Sequence, residues 1–204
     1  MDTNIQLLPG YQVNEYKIIL APHEDLAKKI AVIRTDFNEK FKVENPTSGI
    51  PQIILASFKQ RQAVEERILN RLKMVAMGSH LFKVELKDFG SFPSHTIFIN
   101  VTSKVPIAEL VKKIRQDGQR LMKLDNDNKP HFITESYITI AIKLKPWQFE
   151  NGWLEYSNSH FTGRFIADHM LLLKRKQGEF RWNTIESFEF KNMPVDTKQG
   201  ELFQ

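Results

Sequence analysis

The sequence contains no cysteine. That excludes a disulfide, a thiolate metal site and a cysteine nucleophile, and it favours a reducing compartment. No apolar stretch approaches the ~20 residues that cross a bilayer. The opening MDTNIQLLPGYQ has neither the basic start nor the apolar run of a signal peptide, so a soluble, cytoplasmic protein without a membrane partner is expected. The nine glycines are scattered singly, so there is no glycine-rich loop to cradle a phosphate. No histidines or carboxylates stand at metal-ligand spacing, and no serine sits in a nucleophile elbow. No cofactor or metal is expected.

What is present is the composition of a folded chain. With 204 residues, 41% of them hydrophobic, a sizeable core can be buried. The net charge of +5 suits an anionic ligand such as a nucleotide or RNA. A solvated basic surface explains it too, because the basic residues are spread out and only LLLKRK (171–176) forms a short cluster.

Hydrophobic periodicity orders the chain. EYKIILAP (15–22) reads as a strand. A helix follows, with Glu24 and Asp25 in its first turn and Leu26, Ile30, Ile33, Phe37 and Phe41 on one face. PQIILASF (51–58) is a strand and 61–77 a second helix. LFKVELKDFGSF (81–92) and SHTIFINV (94–101) are strands, with a turn expected over Gly90–Ser94. Pro106 opens a third helix. SYITIAIKL (136–144) is a strand, 145–160 holds a short helix, and 164–176 with 181–192 form a hairpin of two long strands. Strand pairs beside helical crossovers indicate an α+β fold with mixed or antiparallel sheets. One domain of two pseudo-symmetric lobes is expected, with a core over about 15–193 and a loose tail at 194–204.

Two strands share a grammar. In QIILASF and YITIAIK, Gln52 matches Tyr137, Ile54 matches Thr139 and Ala56 matches Ala141, each pair 85 residues apart. Alternation puts Gln52, Ile54 and Ala56 on one face, and Tyr137, Thr139, Ala141 and Lys143 on another. Two ordinary half-buried strands would show the same pattern. The sequence nevertheless resembles the two-histidine phosphoesterase superfamily, in its bacterial 2'-5' RNA ligase-like branch. That family carries His-x-Thr or His-x-Ser on one strand of each lobe. PQIILASF and SYITIAIKL occupy those places, flanked by FKVELKDFGSFPSHTIFINV, KPHFITE and KPW, and the similarity runs from about residue 15 to 193.

The resemblance implies a two-lobed α+β fold whose sheets form a central cleft with helices outside. It also implies a general base and a general acid, which here fall on Gln52 and Tyr137. The phosphate-holding hydroxyls fall on Ile54 and Thr139, and a frequent arginine falls on Ile142. Histidine serves this chemistry because its pKa of ~6.5 lies near working pH. Glutamine does not titrate, and tyrosine, at ~10, stays neutral. Each lost acid–base group costs ~10²–10⁴ in rate.

A degenerate member is therefore expected, one that binds a nucleotide, a cyclic oligonucleotide or an RNA end without cutting it and acts as a sponge, sensor or regulator. Gln52, Tyr137, Thr139 and Lys143 are its candidate ligand residues, through hydrogen bonds, stacking and charge. His95 and His131 are added as histidines able to reach the cleft. Through them or Tyr137 the chain would instead be an active 2',3'-cyclic phosphodiesterase or 2'-5' RNA ligase-like enzyme. A vestigial cleft with a protein-binding role is a third expectation. Trp147, Trp153 and Trp182 read as packing residues.

Overall fold

The computed structural model describes residues 10–193; the tail expected at 194–204 lies outside the described residues. In chain order the elements are β1 (Val13–Leu20), α1 (Glu24–Lys40), β2 (Ile53–Arg61), α2 (Glu65–Met77), β3 (Phe82–Phe92), β4 (Thr96–Val101), α3 (Lys104–Met122), β5 (His131–Phe132), β6 (Tyr137–Ala141), α4 (Pro146–Tyr156), β7 (Thr162–Ala167), β8 (His169–Lys176) and β9 (Asn183–Glu189). They build two sheets. Sheet A has the order β5-β2-β1-β8-β9 and sheet B the order β6-β4-β3-β7. Every pairing is antiparallel.

The helices form where apolar side chains recur at steps of three and four. α1 buries Ile30, Arg34 and Phe37, α2 buries Ile68, Leu72 and Val75, and α3 buries Ile107, Leu110, Val111 and Ile114. Pro106, expected to open α3, is its third residue. Pro146 does open α4. The helices exchange partners. α1 follows β1 of sheet A but packs on β6 of sheet B, whereas α3 follows β4 of sheet B and packs on β2 of sheet A. α2 lies against α3 and β9, and α4 against β4. Each sheet thus has one face backed by two helices.

The repeated strands are alike down to an irregularity. Along β1 and β2 the register runs Ile18↔Ala56 and then Ile19↔Ile54, skipping Leu55. Along β4 and β6 it runs Ile97↔Ala141 and then Phe98↔Thr139, skipping Ile140. Leu55 and Ile140 are extra residues of two β-bulges, and they too are 85 positions apart. The bulge corrects the simple alternation. Ile54 shares its face with Ser57 and Lys59, while Ala56 pairs with Ile18 on the helix-backed side; likewise Ala141 parts from Thr139.

Two more expectations change. Residues 164–176 are two strands rather than one: β7 ends in sheet B at Ala167, and after Asp168 β8 begins in sheet A. The hairpin with β9 therefore involves β8 alone. Gly90 lies within β3 opposite Phe98, so the expected turn is shorter and falls after Phe92.

Candidate functional site

Gln52 stands one residue before β2 and is half-buried. Alternation aims its side chain to the face shared by Ile54 and the fully buried Ile19, the face of sheet A turned away from its helices. Tyr137 opens β6 opposite Asn100, and Thr139 lies opposite Phe98 on the open face of sheet B.

Two connections hold these strand openings near each other. The Ile133 N–H donates to the Leu55 carbonyl at 3.1 Å, and only four residues later comes Tyr137, a reach of at most ~14 Å. The Arg34 guanidinium donates from Nε to the Thr139 carbonyl at 2.8 Å and from Nη1 to the Gly49 carbonyl at 3.0 Å. Gly49 lies three residues before Gln52. Burial pushes the Arg34 pKa down to about 10, which leaves it charged at neutral pH.

Tyr137 belongs to an aromatic cluster. Its ring centroid is 4.8 Å from Phe98 and 5.2 Å from Phe92, and these two lie 4.7 Å apart. Gly90 makes the room: a Cβ there would stand 2.5 Å from the Phe98 ring and 2.6 Å from Asn100 Oδ1. Burial, and then the charge of Glu135, raise the Tyr137 phenol above its ordinary pKa. It is a protonated hydroxyl on an apolar platform, able to stack and donate but not to act as a base.

The other candidates lie elsewhere. Lys143 falls after β6 with a φ of 56°, exposed in a turn, so it does not share a strand face with Thr139. His95 is exposed in the turn before β4, its Nδ1 2.6 Å from Thr96 Oγ1, rather than within the strand as expected. Along the backbone of β4 it is five steps, roughly 17 Å, from Asn100, the residue paired with Tyr137. His131 pairs with Ser57 on the edge strand β5 and lines a different part of sheet A.

That part is a polar cavity of about 340 Å³, further along the same face from Gln52. Lys17, Lys59, Arg175 and Trp182 line it with His131 and the loop at 127–129. Burial, then the charge of Arg175, lower the Lys17 pKa. The principal cavities are not lined by Gln52, Tyr137 or Thr139. Sequence reasoning missed Lys17, Lys59 and Trp182; the signal was the polar alternation of Glu15 and Lys17 in an otherwise apolar strand. No group of three His, Asp or Glu side chains among the described residues is arranged to hold a metal ion, and no helix among them is long and apolar enough to cross a membrane.

Solved structures share this architecture. The chain resembles TT0787 of Thermus thermophilus with 15% identity and a TM-score of 0.64, over 87% of this chain and 98% of that one. Apo LigT of E. coli gives 12% identity and a TM-score of 0.63 over 87% and 98% of the two chains. LigT complexed with 3'-AMP gives 14% and 0.59 over 88% and 98%. Likeness at such identity establishes the two-lobed fold. None of the curated protein sequences matches the chain. The sequence profile of the 2'-5' RNA ligase superfamily, however, matches residues 22–179. The chain belongs to the 2'-5' RNA ligase superfamily, within the two-histidine phosphoesterases.

Proposed function

We propose that this chain binds a nucleotide-type ligand in the cleft between its two sheets and does not cleave it. The observation that carries this reading is Tyr137: a phenol held protonated against Phe98 and Phe92, at the position that repeats Gln52 in a strand with the same bulge. Neither residue exchanges a proton at neutral pH, so the acid–base pair of a phosphodiester hydrolase is missing. Both offer hydrogen bonds, Tyr137 offers a ring for a base, and Thr139 a hydroxyl for a phosphate oxygen. The E. coli relative has been crystallised with 3'-AMP, ATP and NADP+, which supports a nucleotide as the ligand here. A cyclic oligonucleotide or an RNA end is the ligand class, and a sponge, sensor or regulator the role. His95, in the turn before β4, and His131, paired with Ser57, occupy neither position of the pair, which supports binding without cleavage.

Calorimetry tests this with 3'-AMP, a 2',3'-cyclic nucleotide, and linear and cyclic oligonucleotides. Binding without turnover is expected, and Tyr137→Ala weakens it by roughly 5- to 150-fold, the ~1–3 kcal/mol of one base stack. No binding at about 100 µM protein, a concentration that detects even weak complexes, overturns the reading. So does turnover that His131→Ala abolishes.

A further inference from the structure

We infer that the polar end of this face of sheet A, turned away from its helices, anchors a phosphate of single-stranded RNA, so that the cleft takes an oligonucleotide rather than a mononucleotide. The class of ligand rests on the proposed function; the anchoring site rests on its own geometry.

Strand pairing assembles the site. Glu15 lies opposite Lys59 on one side and Arg175 on the other, and Lys17 lies opposite Ser57. Residues two apart on a strand share a face, so Lys17, Lys59 and Arg175 rise together from one surface. Trp182, after β8, roofs them: the Lys17 ammonium is 4.3 Å from its ring and the Arg175 guanidinium 4.5 Å. The loop carrying Asp127 and Lys129 closes another side of the cavity.

The charges do not balance within the site. Four cationic side chains face two carboxylates. Glu15 is engaged by Arg175 at 2.5 Å and stands 3.8 Å from Lys59. Lys17 has no carboxylate within ion-pairing distance among the described residues, although it is half-buried and next to a second cation. Burial and then the charge of Arg175 depress the Lys17 pKa, and the charge of Glu15 offsets only part of this. An anion seated among Lys17, Lys59 and Lys129 relieves it, and the Ser57 hydroxyl adds a donor.

The placement selects a strand over a free ion. Ser57 lies five residues from Gln52 on the same face, but with Leu55 bulged out the span equals four paired residues, roughly 13 Å at ~3.3 Å per residue. That is about four nucleotide steps at the ~3.4 Å rise of a stacked strand. A strand with one nucleotide at Gln52 reaches the lysines with a phosphate near the fourth nucleotide.

The test is fluorescence anisotropy with labelled oligoadenylates of one, two, four and six nucleotides. Affinity is expected to rise up to about the tetramer. Lys17→Gln and Lys59→Gln each weaken tetramer binding about tenfold, the worth of one charge-assisted bond. Both leave 3'-AMP binding unchanged, and each flattens the slope of log affinity against log salt by ~0.7. Lys129→Gln, on an exposed loop, repeats the arm without touching the sheet. Tyr137→Ala weakens every length. Length-independent binding that is still lost in Tyr137→Ala overturns this inference alone. The same holds if polyglutamate competes as well as RNA, or if the lysine variants bind the tetramer like wild type. Absence of binding by any nucleotide overturns the proposed function with it.

Discussion

The Arg34 guanidinium and the Thr139 carbonyl meet at 2.8 Å, across 105 residues of sequence. A helix that leaves sheet A thereby grips the opening residues of a strand in sheet B. Its second bond, to Gly49, holds the segment leading to Gln52. Arg34 is 5% exposed, and its worth lies in satisfying two carbonyls at once. Arg34→Met is expected to lower stability by about 2–4 kcal/mol, since bonds to charged groups contribute ~1.5–3 kcal/mol each and burial offsets part of that. Urea denaturation measures it. An unchanged midpoint would show that the two carbonyls find water instead. Arg34→Lys restores the charge without the fork and is expected to recover less than half of the loss.

Gly90→Ala tests the aromatic platform. The added methyl meets the Phe98 ring and the Asn100 amide well inside contact distance, and Phe98 is hemmed in by Phe92 and Tyr137. Overpacking of this kind costs about 1–3 kcal/mol. Nucleotide affinity should fall together with thermal stability, because Tyr137 shifts with its neighbours. Wild-type affinity in the alanine variant would detach the platform from binding.

Restoring the family's chemistry is a third test. Gln52→His, Ile54→Thr and Tyr137→His, combined, place two imidazoles and two hydroxyls on the bulged strands. Hydrolysis of a 2',3'-cyclic phosphate is expected to rise by at least ~10² over wild type, the lower bound for one acid–base group. A folded triple variant as inactive as the parent would show that the strands no longer present these side chains to a common substrate.

The tyrosines set an alkaline limit. Burial and the charges of Glu155 and Asp36 push Tyr156 up to about 12, and burial with the Glu65 hydrogen bond raises Tyr16. In the unfolded chain a tyrosine loses its proton near ~10. Below that pH both states are protonated and the stabilisation is fully present. As pH rises further the unfolded state alone ionises, and stability is lost through the folded values. Urea midpoints at about pH 8, 9.5 and 11 should therefore decline above ~10. Tyr156→Phe should decline less steeply than wild type; an identical slope would remove Tyr156 from the account.

Much of this is legible from residue patterns, for definite reasons. α1 and α2 are readable because their apolar residues recur at helical spacing and nothing in the tertiary structure opposes it. The pairing of Gln52 with Tyr137 is readable as an 85-residue repeat. The bulges are not, since Leu55 and Ile140 look like any other strand residues and only the partner strand reveals that they are skipped. Simple alternation misplaces Ala56 and Ala141 for that reason. The break at Asp168 is hidden because β7 and β8 carry one continuous alternation while pairing in different sheets. The cavity around Lys17 needs three strands that are distant in sequence, β1, β2 and β8, so no local signal announces it.

The exchange of helices between the sheets constrains how such a chain can come apart. A fragment ending before β3 would own α1 but not the β6 surface that α1 covers, and its sheet would lack the α3 that seals β2. Neither half is self-sufficient. What each half lacks is carried by the other: the later half brings the β6 surface and the α3 helix, the earlier half brings α1 and the β2 surface. Cutting the gene near the middle should therefore give pieces that are insoluble alone and rescue one another when coexpressed.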